Sequence, residues 1–127
     1  GVFPSVAAIL QADPRVPYAI VFGSWARGTQ HDGSDLDVAI GGDPGGWDAL
    51  ELGSLIGRLE AAAGRPVDLV LLDEAPPGLA FRIFRDGKVL VQRDAAALAA
   101  RKARAALDYF DWQPVEALFL HPRQRRA

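Results

Sequence analysis

The sequence predicts an α/β (α+β) domain, a small mixed sheet of about four strands with helices packed against it. Three observations predict it. The short apolar runs YAIVF, DLDVAI, VDLVLL and KVLVQ have the length and composition of buried strands. The segments between them carry apolar residues at spacings of three and four, the mark of amphipathic helices. The two patterns alternate along the chain, as they do when helices cover a sheet. With 127 residues, half of them hydrophobic, the chain is one domain by size and can bury a real core.

Taken in order, Ser5 to Gln11 reads as a short helix. Tyr18 to Phe22 is a buried strand that Gly23 ends. Ser24 to Arg27 can begin a helix, and the turn-formers of 28–34, GTQHDGS, make a loop. Asp35 to Ile40 is the second strand, and GGDPGG at 41–46 is a turn region. Trp47 to Ala63 has helical spacing through Trp47, Leu50, Leu52, Leu55, Ile56 and Leu59. Gly64 sits where a C-cap glycine belongs, before Arg65-Pro66. Val67 to Leu72 is the third strand. Pro77 to Arg85 is a short helix with Leu79, Ile83 and Phe84 inward. Asp86-Gly87 turns into a fourth strand, KVLVQ. A long helix is expected from Ala95 to Tyr109 and a second from Pro114 to Leu120. The expected organisation is one domain over 1–127 with a helical extension at about 95–121.

Composition removes several classes. There is no cysteine, which excludes disulfides and thiolate metal sites and fits a cytoplasmic location. No apolar stretch reaches the roughly 18 residues of a membrane-spanning helix. A net charge of −2 argues against a general nucleic-acid binder. The run Arg101, Lys102, Arg104 and the tail HPRQRRA read as solvated surface or as contacts for an acidic partner or RNA.

Five residues carry the chemistry. Gly23-Ser24 directly follows a buried strand, where a glycine lets the chain turn tightly and a ligand approach closely. If a helix starts at Ser24, its free N–H groups can hold a phosphate and the Ser24 hydroxyl can cap it. The same pair also reads as a plain turn. Asp35 and Asp37 flank Leu36, so strand alternation points both to one side, with Cα atoms roughly 6.5–7 Å apart. Two carboxylates on one face repel each other, and they are tolerated if they share cations or if the strand start is in water. Mg²⁺ prefers one or two carboxylates plus substrate phosphate oxygens. Asp68 opens another apolar strand, and it joins the acids if the two strands are neighbours. A phosphate-binding turn, a carboxylate pair and a third carboxylate on one small sheet make the inventory of two-metal nucleotidyl transfer.

At this point the residues resemble a family. Gly23-Ser24, ten residues and Asp35-x-Asp37 reproduce the G-S-x10-D-x-D signature of the DNA polymerase β-like nucleotidyltransferases. The string GSWARGTQHDGSDLDVAI is similar to the minimal nucleotidyltransferases, specifically the MntA-type antitoxins paired with HEPN toxins. The resemblance covers about residues 8–95 and implies the polymerase β-like fold. It implies that Gly23 and Ser24 bind the triphosphate and that Asp35 and Asp37 hold two Mg²⁺. Asp68 is by the same resemblance the third carboxylate, a metal ligand or the base for the acceptor hydroxyl. Arg27 matches the second arginine of the usual G-S-R-A-R-G, while Trp25 stands in place of the first. His31, in the loop between the motif halves, reads as a solvated side chain, with an approach to phosphate as the alternative; Tyr109 and Phe110 read as packing for the last helix or as an interface.

The function this implies is a Mg²⁺-dependent protein adenylyltransferase. It would move AMP from ATP to a hydroxyl, a tyrosine by resemblance, of a HEPN RNase toxin, and so act as an antitoxin in a hetero-oligomer. One alternative is a small-molecule nucleotidyltransferase, such as one acting on an aminoglycoside; the short chain after the last strand favours an acceptor supplied by a protein. The other is a non-catalytic antitoxin that only binds its toxin, which has no need of an acid cluster.

Overall fold

The computed structural model describes residues 2–31 and 33–119, with side chains as far as Asp111. Helix α1 is Val2–Ala12, strand β1 is Tyr18–Phe22, and a single turn, α2, is Ser24–Arg27. Strand β2 is Leu36–Ile40, helix α3 is Ala49–Ala63 and strand β3 is Val67–Leu71. Helix α4 is Pro77–Asp86, strand β4 is Lys88–Gln92 and helix α5 is Ala95–Phe119.

The strands lie in the order β3-β2-β1-β4. β1 runs antiparallel to both β2 and β4, and β2 runs parallel to β3. The sheet is mixed, as expected. Helices cover both faces. Val6, Leu10, Leu55 and Leu59 of α1 and α3 pack with Val21, Leu36 and Val38 on one face. Ala80, Ile83 and Leu98 of α4 and α5 pack with Ile20 and Ala39 on the other. Leu36 and Val38 are wholly buried, so the residues alternating with them, Asp37 and Ala39, face the α4/α5 side.

Several boundaries differ from the expectation, each for a local reason. α1 begins three residues earlier, because Pro4 then falls in the first turn, where its missing N–H is no loss. α3 begins at Ala49 because Asp48 caps it: its carboxylate accepts from the Glu51 amide at 2.7 Å, and Glu51 accepts from the Asp48 amide at 3.0 Å. Trp47 therefore precedes the helix and is buried, while Leu50, counted in the apolar stripe, is 85% exposed. Gly64 is the C-cap, as its position predicts. Leu72 ends outside β3, in a short 3-10 turn that buries it fully. The last two expected helices are one: α5 runs unbroken past Pro114 to Phe119. A proline inside a helix removes one ladder bond and favours a kink over a stop when the flanking turns hold. Leu120, His121 and the basic tail lie outside the described residues, as does the side chain of Trp112.

Candidate active site

β1 ends, and β2 and β3 begin, at one end of the sheet. Phe22 pairs with Asp37 across β1 and β2, and Asp37 pairs with Asp68 across β2 and β3. The register therefore seats Asp68 beside Asp37, on the same face. Asp35 lies one residue before β2 and is exposed, as is Asp68, while Asp37 is half-buried. The strand starts at Leu36, which pairs with Val67 of β3 and whose amide donates to O of Pro66, the residue just before β3, at 3.0 Å.

Burial raises the Asp37 carboxyl above its ordinary value, and the charges of Asp68 and Asp35 push it the same way. Arg27 opposes them, so its cation is within electrostatic reach. Arg27 is exposed and makes no ion pair among the described residues, which leaves its guanidinium available to an anion.

The turn above these acids is built on Gly23, whose φ of 72° and ψ of −151° are open to glycine alone. A Cβ at this position would also overlap Asp37 Oδ2 and lie 3.1 Å from its Cγ. Gly23 O then accepts from the Arg27 amide at 3.1 Å, closing the single turn of α2. One expectation is corrected here: Gly23, not Ser24, is the N-cap, and no side chain caps the turn. Ser24 falls one position further on because the chain must reverse at the glycine. Its hydroxyl makes no hydrogen bond among the described residues, which leaves it free for a ligand. The backbone of Ser24 anchors the loop instead, its carbonyl accepting from the Thr29 amide at 2.9 Å.

The loop from the turn to Asp35 closes on itself. The His31 amide donates to Ser34 Oγ at 2.9 Å, and the Ser34 amide donates back to His31 O at 2.9 Å. His31 Nδ1 accepts from the Gly33 amide at 3.1 Å, so this exposed side chain shapes the loop. The run Arg101, Lys102, Arg104 also has a local role in part: Arg101 pairs with Asp73 at 2.9 Å, and Arg104 with Asp108 at 3.1 Å.

Among the described residues, no three His, Cys, Asp or Glu side chains converge closely enough to enclose a metal ion. The donor set still fits a hard divalent cation. It is made of carboxylate oxygens only, and such ions take one or two of these and complete their shells with water and substrate phosphate. The mutual repulsion at Asp37 is the charge such a cation would neutralise.

The sequence matches the polymerase beta nucleotidyltransferase family over residues 5–96. The chain belongs to this family. It is 35% identical over 78 residues to the protein adenylyltransferase MntA of Shewanella oneidensis, which covers 61% of this chain and 55% of that protein. The chain thus spans little more than half the length of this curated relative. One chain of a solved toxin–antitoxin complex with AMP-PNP has the same fold, with a TM-score of 0.84 at 24% identity over 96% of this chain and 98% of that one. A chain of the tri-AMPylated Shewanella oneidensis HEPN toxin in complex with MNT antitoxin superposes with a TM-score of 0.78 at 20% identity, covering 97% and 96%.

Sequence reasoning singled out the acids, the glycine turn and Arg27 as candidates. It missed Ser34, which ties the loop ahead of Asp35, and Arg65. It also had no account of Trp25. That ring stacks edge-on against Phe3 at 5.9 Å and lies under the Arg65 guanidinium at 4.4 Å, so it is a packing residue. A tryptophan in α2 and an arginine at the distant corner between α3 and β3 give no sequence signal, since nothing periodic links them.

Proposed function

We propose that this protein is a Mg²⁺-dependent adenylyltransferase that moves AMP from ATP to a tyrosine hydroxyl of a HEPN-type RNase toxin, acting as its antitoxin. The observation that carries the chemistry is the pairing of Asp37 with Asp68 across parallel β2 and β3, beneath the Gly23 turn. The similarity to an adenylyltransferase and to antitoxin complexes supports the substrate and the partner. No described helix is long and apolar enough to cross a membrane, which is consistent with a cytoplasmic site of action.

In this reading the Gly23-Ser24 turn and Arg27 receive the triphosphate through amides, a hydroxyl and a guanidinium. Asp35 and Asp37 hold Mg²⁺, with Asp68 as a further ligand or as base. Bound Mg²⁺ supplies charge neutralisation on the phosphates and the leaving oxygen. The acceptor hydroxyl lies in line with the α-phosphorus. Its oxygen bonds to that phosphorus, the bond to the bridging oxygen breaks, and pyrophosphate leaves. The proton of the hydroxyl passes to Asp68 or to water beside it. A phenol, with a pKa of about 10, ionises more readily than an aliphatic alcohol. The attached phosphate adds bulk and negative charge to the toxin, which disfavours binding of RNA phosphates.

The test is to incubate the purified toxin with this protein, ATP and Mg²⁺, map the adduct by mass spectrometry and assay the RNase. The expected result is added AMP mass on a tyrosine and loss of RNase activity. A toxin silenced with no adduct would establish a binding-only antitoxin.

A further inference from the structure

We propose that Arg65 is a positioning residue that holds the phosphate turn, the Asp35 loop and the Asp68 strand in register. This rests on the nucleotide-and-metal reading of the site. Arg65 is half-buried and touches all three parts. Its guanidinium lies 4.4 Å above the ring of Trp25, in α2, the residue next to Ser24. Its Nη1 donates to Ser34 O at 3.3 Å, immediately before Asp35. Its own backbone leads through Pro66 and Val67 into Asp68, and Pro66 O receives the Leu36 amide at 3.0 Å. Glu60 Oε2 accepts from the Val67 amide at 2.9 Å, fixing the same corner from α3.

The arrangement is a poor device for stability alone. Arg65 Nε and Trp25 Nε1 are buried with no partner among the described residues. Buried donors without acceptors are costly, and an apolar pair would avoid that cost. Arg65 makes no ion pair among the described residues. Arg65 therefore works through shape: a planar fork stacks on a ring and reaches a carbonyl at once, which an ammonium cannot do. In this chain Trp25 occupies a motif position where an arginine is usual, and the stacked Arg65 makes that aromatic ring part of the site's frame.

The experiment compares Arg65→Lys, Arg65→Ala, Trp25→Phe, Trp25→Ala and the double alanine variant. Melting temperature, ATP affinity by calorimetry in MgCl₂ and hydrogen exchange of amides 28–36 are measured for each. Arg65→Lys keeps the charge, so it should fold, exchange faster over 28–36 and bind ATP about tenfold more weakly, the scale of a lost charge-assisted hydrogen bond. Trp25→Phe keeps a ring face and should retain most of the affinity. The double alanine variant should lose less affinity than the two single losses added together, because both remove the shared Arg65–Trp25 stack. Wild-type ATP affinity in Arg65→Lys, or additive losses in the double variant, would overturn the role. If alanine at 65 prevents folding, the Arg65→Lys and Trp25→Phe pair decides. If the wild-type protein binds no ATP, the proposed function fails by itself, and unchanged exchange over 28–36 in Arg65→Lys would separately overturn the positioning claim.

Discussion

Gly23 passes so close to Asp37 that the carboxylate fills the place where a side chain at 23 would begin. Two constraints meet at that glycine: a backbone conformation that only glycine adopts readily, and a neighbour that leaves no room. Gly23→Ala is therefore expected to cost about 1–3 kcal/mol in stability from the strained backbone. It should also displace Asp37, and a shift of about 1 Å in a reacting group lowers rates on the order of 100-fold. Gly28→Ala is the comparison. It has a similar φ of 74° but meets nothing within 4 Å, so it should lose stability and far less transfer. Denaturant melts and adenylylation rates on both variants would check this, and equal transfer losses would remove the steric link to Asp37.

Asp37 titrates against its surroundings in the metal-free protein. Its folded-state pKa is raised by burial, then by Asp68 and Asp35. The folded protein therefore holds that proton more tightly than the unfolded chain does. Between the ordinary carboxylate value and the raised one, stability falls as pH rises. Above that window the ionised carboxylate is a standing penalty. Asp37→Asn should remove the penalty: its melting temperature should exceed wild type at neutral pH without metal, and the gain should shrink on acidification through that window. The variant with both Asp35→Asn and Asp37→Asn should stay folded and transfer no AMP. Turnover at the wild-type rate in that double variant would end the site assignment.

How far the sequence reveals such a site depends on the kind of contact. The alternation of Asp37 with Leu36 and Val38 is a property of any strand, so the face it occupies is readable from the chain. That Asp68 lies beside it required only that two strands be neighbours, which the register bears out. The Arg65–Trp25 stack is different. It joins a loop-facing turn to a helix-to-strand corner, and no spacing rule connects those places. Helix starts were blurred for another reason: apolar spacing counted Trp47 and Leu50 together, but the Asp48–Glu51 cap decides where the helix begins. The position of Ser24 after a strand allows its hydroxyl to cap, while the backbone angles of Gly23 place the cap one residue earlier.

That shift makes Ser24 a sharper test. Its hydroxyl has no protein partner among the described residues, so removing it should leave the turn intact. Ser24→Ala should weaken ATP binding by about 1–2 kcal/mol, the scale of a hydrogen bond to a charged group, with an unchanged melting temperature. Calorimetry with ATP and Mg²⁺ measures the first and differential scanning the second. Unchanged affinity would make Gly23-Ser24 a plain turn. A large loss of stability would instead show that the hydroxyl holds the fold.

Metal dependence is the expectation from the same register. Asp37 and Asp68 are cross-strand neighbours, and Asp35 adds its charge to the first. A triphosphate brings several more negative charges to this end of the sheet, and Arg27 is the one cation whose influence on Asp37 is resolved. Two unit charges 4 Å apart interact by about 1 kcal/mol in water and about 4 kcal/mol near a protein surface, so uncompensated repulsion is enough to decide binding. ATP affinity should accordingly fall at least about tenfold in EDTA, which corresponds to 1.4 kcal/mol. Mg²⁺ with ATP should raise the melting temperature more than either alone, because both bind the folded state and each relieves the other's repulsion. The variant carrying Asp35→Asn and Asp37→Asn should reverse the pattern, binding ATP in EDTA better than wild type does and gaining little from Mg²⁺. Calorimetry and melting curves across these four conditions measure the coupling directly. Equal wild-type affinity with and without metal would mean that the acids do not hold the cation, whatever else they do.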